Sequence, residues 1–170
     1  MGLIEKTKLK LDKRIRELSA GQKLIFHLSL LLSAKPEILL IDEVIHSIDA
    51  FLREIFLNRL LELIEERSIT LVLVNLNYHD IEKIPQRVVL LKDGRIAVDE
   101  SMDSLKNKVK KVISTEEITG VPVLYSRHYS DAGEYYIYPF EEEFREKIKG
   151  NVTDLNLNDI VKAFIGGEYV

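Results

Sequence analysis

Residues 18–43 read LSAGQKLIFHLSLLLSAKPEILLIDE, and three features of this stretch decide the fold. Ser19-Ala20-Gly21-Gln22 has the S-x-x-Q form of a capping box, in which a serine hydroxyl and a glutamine side chain satisfy free amides at a helix start. It predicts a buried helix from about Gly21 to Ala34. Lys35-Pro36-Glu37 stops that helix, because proline lacks the amide and disfavours helical geometry in the residue before it. Ile38-Leu39-Leu40-Ile41 is a continuous apolar run closing on Asp42-Glu43, the pattern of a central strand in a parallel sheet.

Working outward, Asp49 to Arg67 places Leu52, Phe56, Leu60, Leu63 and Ile64 at helical spacing, with Glu62, Glu65, Glu66 and Arg67 toward the other face. This is an amphipathic helix. Thr70 to Val74 and Arg87 to Lys92 are two further apolar, β-rich runs, and the second enters a tight Asp93-Gly94 turn leading to Arg95 to Val98. Strand, helix, strand, short helix, strand predicts parallel pairing with helices on the faces, an α/β fold. Upstream, Leu3 to Glu17 carries Lys6, Lys8, Lys10, Lys13, Arg14 and Arg16 and reads as a partly helical, basic approach segment. Downstream of Leu105 the composition changes to Lys106, Lys108, Lys110 and Lys111, which predicts a boundary: residues 1–105 form the α/β part and 106–170 a small α+β extension. In that extension Val121 to Arg127 and Glu134 to Phe140 read as strands around a 130–133 loop. Asp159 to Ile165 reads as a closing helix ended by Gly166-Gly167.

Composition narrows the function. With 170 residues, 46% of them hydrophobic and 31% charged, the chain has enough apolar material for a sizeable core and is unlike a disordered segment. The 24 Lys+Arg against 28 Asp+Glu leave a net charge of -4, which supplies no general attraction to nucleic acid. No nucleic-acid partner is expected, since the basic run after Leu105 also lacks interleaved aromatics. There is no cysteine, so thiol nucleophiles, disulfides and zinc-thiolate sites are excluded. Leu24 to Leu32 is interrupted by His27 and Ser29 and falls well short of the roughly 20 residues that span a bilayer.

Two places can carry chemistry. At the start of the Gly21 helix, unpaired amides and the positive end of the helix dipole favour an anion, although the same residues are also accounted for by capping alone. Asp42 and Glu43 end a parallel strand, where α/β sheets bind ligands, or else they solvate a strand end.

Taken together, Leu-Ser-x-Gly-Gln, an apolar helix, Lys-Pro-Glu and Ile-Leu-Leu-Ile-Asp-Glu resemble the second half of an ABC ATPase nucleotide-binding domain, a partial P-loop NTPase-like sheet. Ser47-Ile48-Asp49 is similar to the D-loop of that family, and Arg87 to Ile96 to its terminal strand and hairpin. The resemblance covers residues 3 to 105. It implies that Leu18, Ser19, Ala20, Gly21 and Gln22 form the signature, with Ser19 and Gly21 contacting the γ-phosphate of ATP held by a second nucleotide-binding domain. Asp42 would hold Mg²⁺ through water, Glu43 would polarise the attacking water, and Asp49 would help couple the two sites. The implied partners are that second domain and a transmembrane permease subunit, with the chain cytoplasmic and peripheral to the membrane.

The sequence also departs from the family. No glycine is followed by lysine, so the G-x-x-x-x-G-K-[ST] phosphate loop is not among these residues. The expectation is that it lies upstream of Met1 or on another polypeptide. Leu76 stands where the family has its switch histidine; His79 is the nearest histidine, about one helical turn away. Val44-Ile45-His46 replaces the usual Pro-Thr-Ser, with His46 either facing the nucleotide or filling space. The tail resembles the C-terminal extension of motor subunits of ABC-2-type exporters, ending in Asp159-Ile160-Val161-Lys162-Ala163-Phe164-Ile165-Gly166-Gly167. Its Tyr135, Tyr136, Tyr138 and Phe140 read as a small hydrophobic core. Besides an ATP-hydrolysing subunit, two other readings fit: a non-catalytic half that regulates a partner, or the head of a DNA-repair ATPase, against which stands the lack of a long coiled coil before Leu18.

Overall fold

The computed structural model describes residues 12–43, 49–67, 69–74, 78 and 81–166. It divides into two compact units, Met1–Asn77 and Tyr78–Val170.

The first unit is built around a strand–helix–strand segment. Helix α1 (Ala20–Ser33) starts at the capping box and buries Gly21, Ile25 and Leu28 along one stripe. Its two serines are satisfied within the helix, Ser29 Oγ donating to Ile25 O at 2.7 Å and Ser33 Oγ to Ser29 O at 2.7 Å. The helix expected to be buried is so along that stripe only, for Leu30 and Leu31 are exposed. Lys35 ends the helix in the left-handed region at φ 51°, since the following Pro36 disfavours another helical residue.

Strand β1 (Ile38–Asp42) pairs parallel with β2 (Thr70–Val74), in register from Ile38↔Thr70 to Asp42↔Val74. Helix α2 (Ala50–Arg67) makes the crossover and buries Phe56, Leu60 and Leu63, spaced four and three apart. Asp49 caps it, accepting from the Leu52 amide at 3.0 Å. Alternation along β1 buries Leu39 and Ile41 but leaves Ile38 62% and Leu40 72% exposed. On β2, Val72 is 45% and Val74 53% exposed. A strand expected to be covered on both faces is covered on one.

The second unit opens with a hairpin, β3 (Arg87–Lys92) and β4 (Arg95–Ser101), closed by Asp93 at φ 51° and Gly94 at φ 71°. Those paired positive dihedrals are what a two-residue turn requires. The hairpin is as the sequence reading has it, β3 antiparallel to β4, but the expected parallel pairing is corrected for this strand, since β3 has no other ladder partner among the described residues. Helix α3 (Met102–Lys108) follows, capped by Ser101, whose Oγ accepts from Ser104 N at 3.2 Å.

The tail is a four-stranded antiparallel sheet in the order β6-β7-β5-β8, formed by β5 (Lys110–Ser114), β6 (Val123–His128), β7 (Gly133–Ile137) and β8 (Asn151–Asp154). Helix α4 (Leu157–Phe164) closes it, with Gly166 at φ 77° terminating the helix. Two cores hold this unit. Val112, Tyr135, Ile137, Phe140, Phe144 and Ile148 form one. The other joins Val88 and Val98 of the hairpin to Leu105 and Val109 and to Leu157, Ile160, Val161 and Phe164 of the tail. Lys92 adds a polar tie, its Nζ donating to Phe164 O at 2.9 Å. The tyrosines expected in one core therefore divide: Tyr135 lies in the first, while Tyr136 and Tyr138 border the second.

Candidate functional site

The α1 start is a reciprocal box. Ser19 N donates to Gln22 Oε1 at 3.1 Å, and Gln22 N donates to Ser19 Oγ at 3.2 Å. Lys23 N makes the first helical bond to Ser19 O at 2.9 Å. The amides of Ala20 and Gly21 have no partner among the described residues. Ser19 and Ala20 are exposed, whereas Leu18 and Gly21 are buried and anchor the turn. Two unpartnered amides at a positive helix end, that of Ala20 on an exposed residue, beside a hydroxyl that can still donate its own proton, are a competent anion contact.

At the other place, β1 carries Asp42 and Glu43 to its C-terminal end, both exposed and without an ion-pair partner among the described residues. Glu43 takes φ 47°, in the left-handed region, and its amide donates to Val74 O at 3.0 Å, one step beyond the β1–β2 ladder. A non-glycine residue in this region costs on the order of 1 kcal/mol, and such strain concentrates where a side chain is aimed for use. The two carboxylates offer hard oxygen donors. Among the described residues no group of three or more His, Asp or Glu side chains could hold a metal unaided. A carboxylate pair fits Mg²⁺, which is commonly held by one or two carboxylates together with substrate phosphates and water.

Asp49 stands exposed at the α2 N-cap. No hydrogen bond or ion pair joins it, or the α1 start, to Asp42 or Glu43 among the described residues. Val44, Ile45, His46, Ser47, Ile48, Leu76 and His79 lie outside the described residues. Sequence reasoning missed the cluster of Tyr125, Arg127, Tyr136, Asp159 and Lys162 in the tail; the only signal was that adjacent Tyr135 and Tyr136 must face opposite ways on a strand.

A parallel strand pair with a helical crossover, carrying acids at the strand end, defines an α/β unit whose strand end is where such sheets bind ligands. No family model matches the chain. Its relatives nonetheless agree. It is 27% identical to the ABC transporter ATP-binding protein YtrB of Bacillus subtilis over 168 residues, covering 92% of this chain and 58% of the relative. It is 30% identical to the energy-coupling factor transporter ATP-binding protein EcfA2 of Clostridium tetani over 98 residues, covering 58% of this chain and 34% of the relative. In fold it is similar to a solved ATP-binding cassette of an ABC transporter, with a TM-score of 0.53 at 22% identity, covering 62% of this chain and 43% of that one. The chain resembles ABC transporter nucleotide-binding subunits in sequence, and its α/β fold matches their ATPase domains in part. It spans less than two thirds of the length of these relatives, and the YtrB match takes in most of the tail.

Proposed function

We propose that this chain supplies the signature and Walker B part of an ATP-hydrolysing subunit of an ABC transporter. The observation that carries the reading is the end of β1, where exposed Asp42 and Glu43 project from a parallel strand and Glu43 is held in a strained backbone conformation.

Glu43 accepts the proton of the attacking water as its oxygen bonds to the γ-phosphorus and the bond to the β-phosphate oxygen breaks, releasing ADP and phosphate. Asp42 would hold Mg²⁺ through water, and the ion would supply neutralisation of phosphate charge when bound. Ser19 and the Ala20 and Gly21 amides meet the γ-phosphate of ATP carried by a second nucleotide-binding domain. Asp49 communicates between the two sites. A transmembrane permease anchors the assembly, with this chain on the cytoplasmic side; among the described residues no helix is long and apolar enough to cross a membrane.

The phosphate loop has to come from outside these residues, because the sequence has no G-x-x-x-x-G-K-[ST]. The apolar face of β1 and β2 supports completion by another polypeptide segment. Ile38, Leu40, Val72 and Val74 are each about half exposed or more, and covering them stabilises a complex by on the order of 1 kcal/mol apiece.

Mixing the chain with a polypeptide that supplies the phosphate loop is expected to produce ATPase activity, which Glu43→Gln lowers by about 10²- to 10⁴-fold. Leu76 at the switch-histidine position favours a second reading, a non-catalytic half that binds and regulates a partner. A stable complex without activity, indifferent to Glu43→Gln, would establish that reading instead. Salt-sensitive binding of the chain to DNA would favour the repair-ATPase alternative.

A further inference from the structure

The four-stranded sheet of the tail has two unlike faces. One carries Val112, Tyr135 and Ile137 into an apolar core. The other sets Lys111 opposite Tyr136, Tyr136 opposite Tyr125, and Arg127 opposite Glu134 across neighbouring strands. A sheet face that meets a helix is ordinarily apolar, and this one is polar where α4 approaches it. Between them lies a recess of about 120 Å³, lined by Tyr125, Arg127 and Tyr136 of the sheet and by Asp159, Lys162 and Ala163 of α4. At about 30 Å³ per water molecule, it holds something the size of a few waters or one small oxyanion.

Charges and donors around the recess are only partly used. Lys111 is paired with Glu134 at 2.6 Å, which neutralises both. Arg127 donates through Nε to Tyr125 Oη at 2.6 Å and lies 5.5 Å from that ring's centre. It has no acidic partner among the described residues. Lys162, exposed at the rim, likewise has none. Asp159 is the one carboxylate on the wall, and one of its oxygens accepts from Asn156 Nδ2 at 3.0 Å. Tyr136 lies edge-tilted against Tyr125 at 5.7 Å, and its hydroxyl has no hydrogen-bond partner among the described residues. Burial holds that phenol above its ordinary range, so it remains a neutral donor. Two cations against one carboxylate, with a spare hydroxyl donor between them, favour a negatively charged occupant.

We propose that this recess binds a small oxyanion, the carboxylate or phosphate group of a metabolite, held by Arg127, Lys162 and the Tyr136 hydroxyl. The site lies wholly within the second unit and does not rest on the transporter reading.

Titration of the full chain with sodium acetate and, separately, with inorganic phosphate tests it, at low ionic strength and with chloride as the control. Tyr136 ring and Arg127 Nε–H resonances report occupancy. At least one of the two anions is expected to saturate these shifts with a dissociation constant of about 1 mM or tighter. Acetate alone saturating assigns a carboxylate, and phosphate alone assigns a phosphate group. Arg127→Gln and Lys162→Gln should each weaken binding roughly fivefold or more, whereas Asp159→Asn should tighten it by removing the opposing charge. Thermal melts of the variants confirm that the tail is folded; if a glutamine variant melts early, Arg127→Lys or Lys162→Arg serves in its place and should retain binding more nearly. Saturation by neither anion, loss of the preference over chloride, or equal binding by all variants would overturn the proposal.

Discussion

The two compact units differ in how they treat their apolar surface. In Tyr78–Val170 two cores wholly bury Leu105, Val109, Val112, Ile137 and Ile160, although the β3–β4 hairpin leaves Val89, Leu91 and Ile96 half-exposed or more. In Met1–Asn77 the β1–β2 sheet seats Leu39 and Ile41 but turns Ile38, Leu40, Val72 and Val74 outward. A polar surface would have served a free-standing sheet better, so the two tail cores are closed on themselves while the β1–β2 face is built to receive something.

Substitutions sharpen that contrast, and the largest effect belongs to the open face. Leu40→Asp together with Val72→Asp is expected to abolish assembly with a loop-supplying polypeptide. Being at exposed positions, the pair should shift the melting of the isolated chain by no more than a few degrees. Co-purification and calorimetry measure the two halves of that statement. In the closed cores the opposite holds: Ile160→Ala is expected to cost about 2 to 5 kcal/mol of stability, read by denaturant unfolding, because it empties a fully buried site. A smaller loss follows Ser19→Ala, about 0.5 to 2 kcal/mol from the α1 cap, visible in the unfolding of the first unit.

The smallest effect is electrostatic. Lys110 beside Asp154, and Lys108 with Ser104 beside Glu100, hold those carboxyls below the usual carboxylate range through hydrogen bonds. Folded values below the unfolded ones, about 3.9 for Asp and 4.3 for Glu, mean that the stabilisation is present above that range and is lost as pH falls through it toward the folded values. Both carboxylates are solvent-accessible, so the contribution is slight. Melting temperature recorded from about pH 6 to about pH 3 should fall less steeply in Asp154→Asn and Glu100→Gln than in the parent chain.

Local signals in the sequence were followed closely by the structure. The S-x-x-Q box, the Asp93-Gly94 turn, the amphipathic stripe of Phe56, Leu60 and Leu63, and the closing helix before Gly166 each depend on neighbours a few residues apart. Pairing was only partly legible. The Asp93-Gly94 turn announced the hairpin, but the run from Arg87 to Lys92 has the same apolar character as the parallel strands, and nothing within it says that it would have no parallel partner. The change of composition at Lys106 likewise marks no gap in packing, since Leu105 and Val109 on either side share one core. Apolar character at Ile38 and Leu40 reports the environment a strand suits, not what covers it. Of the candidate site, the helix start and the strand end were readable as residues. The left-handed turn at Glu43 was not, because glutamate carries no signal for it.

The central claim, that the α1 start and the β1 end face a triphosphate, is tested most directly by amide exchange. In a Glu43→Gln chain mixed with the loop-supplying polypeptide and a second nucleotide-binding domain, added ATP and Mg²⁺ should slow exchange at Ala20 and Gly21, while Val112 and Ile137 in the tail stay unchanged. Equal exchange at Ala20 and Gly21 with and without nucleotide, in a mixture shown by sizing to be assembled, would contradict the account.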